Sequence, residues 1–474
     1  SEMCIRDRSA SAALAMPTAH ERLKHVAAAM EAMREKLAIV ENIAKHSGQC
    51  RPACATMVDM HKISASRRTL ASTLTAGTIL ATATAVSALA TGQAAADPCW
   101  TYSPTLSDGL AASSSGSLAG SLGQPQWLTG KPEGMPKVTG NTEAVHMLTG
   151  RFAPDRTDKT GLSSTDLGIM WDSGDGRVLA AFGDSFRCGA GDNGWHSNAL
   201  YETDDMDPSN GIHLGGPATG ARSEEFLPAS LKISGVEMTV IPTAGIEVGG
   251  AQYVDFMSVR DWGKPGQWRT NYAATAKSTD GGKTFSVVPG SYRTSSAASG
   301  DGRLPDFPAH RPGADNFQMT AFVKAPEGAE DGYVYVYGTP SGRSGQARLA
   351  RISEASFPDF NSAEYWDGSG WSSRMDSAKP VLDGRVSELS VQYNKHLGKW
   401  LALYETTQGM VLRQADKPEG PWSSAKTLIS RAQVPDIYGG FMYPHQTDGN
   451  LYWVATSWHS YNAVVYKTDL AKVF

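Results

Sequence analysis

A chain of 474 residues with a net charge of −5 and 19% charged side chains has no strongly basic region, which excludes nucleic acid as its main partner. Its 49 glycines and 12 tryptophans, set among short aromatic-rich runs, predict many strands joined by many turns. The length leaves room for more than one domain.

Residues 1–8, SEMCIRDR, read as translated sequencing-adapter sequence. Leu23, Val26, Met30, Met33, Leu37 and Val40 follow at a 3-4-3-4-3 spacing, an amphipathic helix with a short heptad seam. Next, Met57 or Met60 precedes His61-Lys62 and Arg67-Arg68, an Ala/Thr-rich apolar run covers 70–90, and Gln93-Ala94-Ala95-Ala96-Asp97 supplies an A-x-A cleavage pattern. These are the three parts of a secretory signal peptide. SRRTL at 66–70 adds a faint twin-arginine likeness. A signal peptide belongs at the true start of a chain. Residues 1–56 are therefore expected to be mis-called upstream sequence, 57–96 the signal peptide, and the secreted chain to begin near Asp97. The competing reading is a membrane anchor behind a cytoplasmic helix. The run is rich in small residues and weakly apolar for a span, so no stable membrane insertion is expected.

Cys4, Cys50 and Cys54 fall in the part set aside, and Cys99 and Cys188 remain. An even number in an exported chain predicts one disulfide, with two free thiols as the alternative. Residues 97–139 are expected to be a flexible N-terminal segment, since 103–125 read SPTLSDGLAASSSGSLAGSLGQP.

From 140 to 474 the pattern is strand and turn, in five groups. The first spans 166–203, and the second runs from Met238 to Val288. The third holds FQMTAFV, YVYVYGTP and ARLARIS; the fourth, SELSVQYN, KWLALYE and MVLRQAD; the fifth, GGFMYP, LYWVATSW and NAVVYKTDL. Repetition of small antiparallel sheets predicts an all-β fold, a five-bladed β-propeller. Ser278-Thr279-Asp280-Gly281-Gly282-Lys283-Thr284-Phe285 fits the Asp-box pattern S-x-D-x-G-x-T-[WF], a turn between outer strands of a blade. A β-sandwich carrying a second β domain is the competing architecture.

Within the first group, 165–186 read TDLGIMWDSGDGRVLAAFGDSF. A three-residue loop at Gly174-Asp175-Gly176, with Gly176 left-handed, would set Ser173 opposite Arg177. Asp166 would then lie directly opposite Asp184, a placement that destabilises a sheet and that a one-residue slip would undo. A glycosidic bond is hydrolysed by two carboxyl groups, one protonated and one ionised. Neighbouring carboxylates titrate as a pair, one of them held protonated to higher pH. Asp166 and Asp184 are thus the candidate catalytic pair. Direct facing would favour the ~5–5.5 Å spacing of retaining enzymes over the ~6.5–9.5 Å of inverting ones. Which aspartate is the acid stays open.

TDLGIMWD, AFGDSF, IPTAGIEVGGAQYVDFMS, GPWS and the closing Trp458-x-x-Tyr461-Asn462 and Asp469-Leu470 elements together resemble one group. It is the actinobacterial domain-of-unknown-function family assigned to glycoside hydrolases as endo-D-arabinanases. The resemblance covers about 140–474. It implies a secreted five-bladed propeller that cleaves internally the D-arabinan of mycobacterial-type cell walls, in arabinogalactan and lipoarabinomannan. It also implies two first-blade aspartates, which match Asp166 and Asp184.

Furanose rings offer hydroxyls and thin apolar faces, so aromatic and bidentate polar side chains suit them. Arg187, Asn198, Tyr253, Asp255, Arg343, Glu388, Tyr443, His445, Trp458, Tyr461 and Asn462 are the candidate substrate-binding residues. For each, a structural role is the competing reading: Trp458 and Tyr461 could pack between blades, and His445 could be an internal histidine. Glu388 is also a candidate third carboxylate that tunes the pair. No metal or cofactor is expected, although Asp172-Ser173-Gly174-Asp175 has a faint calcium-like pattern that turn residues also explain. The partner is a cell-wall polysaccharide and the protein is expected to be a monomer. Rival functions are an L-arabinanase on another five-bladed scaffold and a non-catalytic carbohydrate-binding propeller. A sialidase fits poorly, with one Asp-box and with Arg303-Leu304-Pro305 after it rather than before.

Overall fold

The computed structural model describes residues 135–187, 194–298, 307–326, 332–446, 449–458 and 460–474. The expected signal peptide and linker, Cys99 and Cys188 lie outside these residues, and so does the expected disulfide.

The described chain is all-β, built as a five-bladed β-propeller whose short helical turns are all of the 3-10 type. The innermost strands are Leu167–Asp172, Thr239–Val248, Met319–Lys324, Leu389–Asn394 and Ile437–Met442. Each touches the next and the fifth touches the first, which closes the ring. The second strand of blade 1, Val178–Phe182, is buried at every position. A strand covered on both faces reads as an unbroken apolar run, and here neighbouring blades cover both. Four apolar clusters fill the space between blades, one of them joining Val178, Phe182, Phe256, Phe441 and Val454 across blades 1, 2 and 5.

Blade 5 is closed by the other end of the domain. Its fourth strand is Thr142–Met147, paired antiparallel with Asn462–Asp469. The sequence groups assign three strands to this blade; the missing one comes from far upstream, in register pairs such as Thr142 with Thr468, 326 positions apart. Blade 3 is the largest. Its path runs from Met319–Lys324 out to the small hairpin Glu364–Trp366 and Trp371–Ser372, and Pro380–Val386 also pairs with its third strand.

The Asp-box forms its expected turn between Trp268–Ser278 and Ser286–Val287. Asp280 accepts from Thr284 Oγ1 at 2.6 Å, Thr284 N at 3.0 Å and Lys283 N at 3.1 Å.

Candidate active site

The beginnings of the inner strands gather at one mouth of the ring. Asp166 precedes the inner strand of blade 1, Glu388 that of blade 4 and Asp436 that of blade 5. Loops leaving the second strands return to the same end, carrying Asp184, Arg343 and Trp458.

The opening hairpin has the expected loop: Ser173 N donates to Arg177 O at 2.9 Å, and Gly176 is left-handed with φ +84°. Pairing follows the expected register from Asp172 with Val178 to Ile169 with Ala181. It then slips by one, so that Leu167 pairs with Phe182. Gly183 N donates to Asp166 O at 3.1 Å. Asp166 therefore faces Gly183 and not Asp184, and the expected direct facing is corrected. The cause is a bulge at Gly168 (φ +119°), with Leu167 itself left-handed at φ +68°. Bulges re-aim side chains, often beside active sites.

Asp166 is half-buried and closely walled. Tyr438, from the inner strand of blade 5, donates its hydroxyl to Oδ2 at 3.1 Å, and the Tyr461 hydroxyl also interacts with this carboxyl. Oδ1 has no hydrogen-bond partner. A Cβ on Gly183 would collide with Oδ1, so glycine there makes room for the carboxyl. Burial, reinforced by the charge of Asp184, pushes the Asp166 carboxyl up to about 8. An orphaned oxygen costs less on a neutral acid than on an anion, which fits the direction.

Asp184 has different surroundings. Its Oδ1 accepts from Thr239 Oγ1 at 2.6 Å and from Trp195 Nε1 at 2.9 Å. Burial raises it as well, but these two donors and nearby Lys232 favour the anion, and it reaches only about 6. Lys232 lies over the Trp195 ring at 4.9 Å and donates to Trp195 O at 2.5 Å, which holds the indole on Asp184. The surroundings thus favour the proton on Asp166 and the charge on Asp184.

A second cluster lies across the mouth. Arg343 grips Glu388 through Nε and Nη2 at 2.6–3.0 Å. Its guanidinium sits 4.5 Å from the centre of the Tyr438 ring and 5.6 Å from that of Trp268. Glu405 approaches the same guanidinium at 3.6 Å and is paired with Arg431. Trp458, 37% exposed, packs against Tyr438 and Tyr461 at ring distances of 6.0 and 5.6 Å and offers an apolar surface beside Asp166.

The family model described as "Domain of unknown function (DUF4185)" matches residues 152–467. The chain belongs to this family. Notoamide biosynthesis cluster protein J of Aspergillus sp. (strain MF297-2) is 28% identical over 332 residues, which cover 63% of this chain and 81% of that protein. Protein J' of Aspergillus versicolor is 27% identical over 330 residues, 63% and 82% of the two chains. Among solved structures, the α-L-arabinofuranosidase of Podospora anserina is 13% identical with a TM-score of 0.39, covering 70% of this chain and 98% of that one. The endo-arabinase of Bacteroides thetaiotaomicron is 12% identical with a TM-score of 0.38, covering 68% and 96%.

In this DUF4185 chain the structure brings Asp166, Asp184, Arg343, Glu388, Trp458 and Tyr461 to one mouth. Arg187 and Asn198 sit just behind Asp184. Arg187 donates to Ser223 O at 2.8 Å. Asn198 is fully buried, donates to Val240 O at 3.0 Å and accepts from Phe226 N and Leu227 N. Asn462 accepts from Thr149 Oγ1 at 2.8 Å and ties the loop of Tyr461 to the segment after the closing strand.

Four candidates are placed elsewhere. Asp255 is fully buried in blade 2, where it accepts from Arg293 at 2.5 Å, Thr320 at 2.6 Å and Thr275 at 2.7 Å. Tyr253 packs on Phe357 and under Lys277. Tyr443 and His445 follow the far end of the blade 5 inner strand, where Tyr443 bonds Asp205 O and His445 lies 3.4 Å from Asp172. Asp172 and Asp175 are turn residues, bonded to Gly174 N and to Ser173 and Arg177. Among the described residues no group of His, Cys, Asp and Glu is arranged to hold a metal ion.

Sequence reasoning did not single out Thr239, Trp195, Tyr438 or Glu405. A usable signal was a polar residue at the start of each blade's first apolar run, which marks Asp166, Thr239, Gln318, Glu388 and Asp436.

Proposed function

We propose that this protein is a secreted glycoside hydrolase that cleaves D-arabinan of mycobacterial-type cell walls internally, with Asp166 as the acid and Asp184 as the ionised partner. One observation carries the reading: two carboxyls share a mouth, and their surroundings differ, with two donors on Asp184 Oδ1 and none on Asp166 Oδ1, which favours the anion on Asp184 and the proton on Asp166. That division is what glycosidic hydrolysis requires. Asp166 gives its proton to the leaving oxygen as the glycosidic bond breaks. Asp184 either takes a proton from the attacking water or attacks the anomeric carbon itself, and the anomer formed first tells which. The resemblance of the hairpin and of YVDFMS to endo-D-arabinanases supports the choice of sugar, and the signal-peptide pattern supports export to the wall. Trp458 offers a stacking face.

The test is incubation of the purified protein with mycobacterial arabinogalactan and, in parallel, with plant L-arabinan. Short oligosaccharides from the first and not the second support the proposal. Products from L-arabinan alone point to an L-arabinanase, and binding without products points to a lectin-like propeller.

A further inference from the structure

Arg343 and Glu388 are an ion pair in the wall of the mouth, with side chains only 20% and 11% exposed. The Arg343 Cζ stands 4.5 Å from the centre of the Tyr438 ring, and the hydroxyl of that ring donates to Asp166. The contacts form one line: Glu388, Arg343, Tyr438, Asp166. An exposed ion pair contributes little, but this one is walled by Trp268 and Tyr438, where charges act over longer range.

We propose that the Arg343–Glu388 pair positions the acid: Arg343 fixes the ring that holds Asp166, and Glu388 cancels the guanidinium charge so that Asp166 keeps its proton. This rests on the reading of Asp166 as the acid. Neither residue needs to touch the substrate. The groups that face Asp166 come from every neighbouring element. They are Asp184 from blade 1, Arg343 from blade 3, Glu388 from blade 4, and Tyr438 and Tyr461 from blade 5. Glu405 and Arg431 stand behind Arg343. Glu388 favours the protonated acid and Arg343 the anion, so removing one or the other has opposite effects. A merely structural pair would have no such signature.

The experiment is an infrared pH titration of the protonated carboxyl band that vanishes in Asp166→Asn, recorded on the whole protein without substrate. Glu388→Gln keeps the side-chain shape and leaves Arg343 uncompensated, so the Asp166 midpoint falls by about one on the pH scale. Arg343→Gln moves it up, and the double variant returns it toward wild type. Arg343→Lys keeps the charge and keeps the midpoint closer to wild type than Arg343→Gln does. If Arg343→Gln does not fold, the direction in Glu388→Gln decides. Unmoved midpoints, or shifts of the same sign in both variants, overturn the proposal. So does a rise in KM with the titration unchanged, which makes Arg343 a substrate ligand. Because the titration needs no turnover, it succeeds or fails independently of whether arabinan is the substrate.

Discussion

Among the described residues, the non-glycine positions with positive φ are Arg156, Leu167, Lys232 and Tyr461. Three of these four surround the two aspartates. Leu167 follows Asp166, Tyr461 accepts from Thr165 N at 2.8 Å, and Lys232 holds Trp195 on Asp184. Each such conformation costs about 1–3 kcal/mol and persists where the surroundings enforce it, most often at functional sites. Leu167 is enforced by Thr456, whose hydroxyl accepts from Leu167 N at 2.9 Å. Asp166→Asn and Asp184→Asn are each expected to lower turnover by about 10²–10⁴-fold, the usual worth of acid–base help. Either variant retaining more than about a tenth of the wild-type rate would remove that residue from the mechanism. The wild-type kcat/KM should rise with pH through about 6 as Asp184 ionises and fall through about 8 as Asp166 loses its proton.

The same carboxyl sets a stability test. Burial pushes the Asp166 carboxyl up to about 8, against 3.8 for an ordinary aspartate. Protonation therefore favours the fold: its full contribution is present below about 4 and is lost as pH rises through about 8. Asparagine has nothing to lose over that window. The Tm of Asp166→Asn should exceed that of wild type at pH 8, and the difference should shrink toward pH 4. A constant difference across the range would show that Asp166 is not the group being desolvated.

At the scale of elements, the hairpin shows what a sequence can and cannot convey. Its loop and most of its register follow from Gly174-Asp175-Gly176 and from the alternation around it. The bulge does not, because Gly168 has no local partner that requires one; Thr456 and Tyr461, nearly 300 positions away, impose it. The Asp-box was legible because its bonds are all local. Asp280→Ala should lower Tm by a few degrees and leave the pH profile of kcat/KM unchanged, since the turn lies between outer strands of blade 2. The closing strand was invisible for the opposite reason, as Thr142–Met147 finds its partner only when the ring is complete. Truncation to residue 149 should leave Asn462–Asp469 as an open edge and lower Tm far more than the Asp280 substitution. Equal stability of the shortened protein would contradict that role.

Across the whole molecule, five blades were legible because the small antiparallel sheets repeat as groups of apolar runs separated by turns. Which candidate sits at which mouth was not. The six residues of Ile437–Met442 rise about 20 Å, so Tyr443 and His445 lie beyond the far end, although they are only a few positions from Tyr438. Asp255 was indistinguishable from a ligand-binding carboxylate until Arg293, 38 positions away, was placed against it. Internal cleavage by the proposed pair requires early products that are oligosaccharides of several sizes. Release of single arabinose units alone would contradict internal cleavage.

The most direct measurement is size-resolved product analysis of D-arabinan treated with wild type, Asp166→Asn and Asp184→Asn in parallel. Short oligosaccharides with the wild type and an undegraded polymer with both variants are the predicted result. An undegraded polymer in all three samples, from protein whose fold is verified, would contradict the assignment.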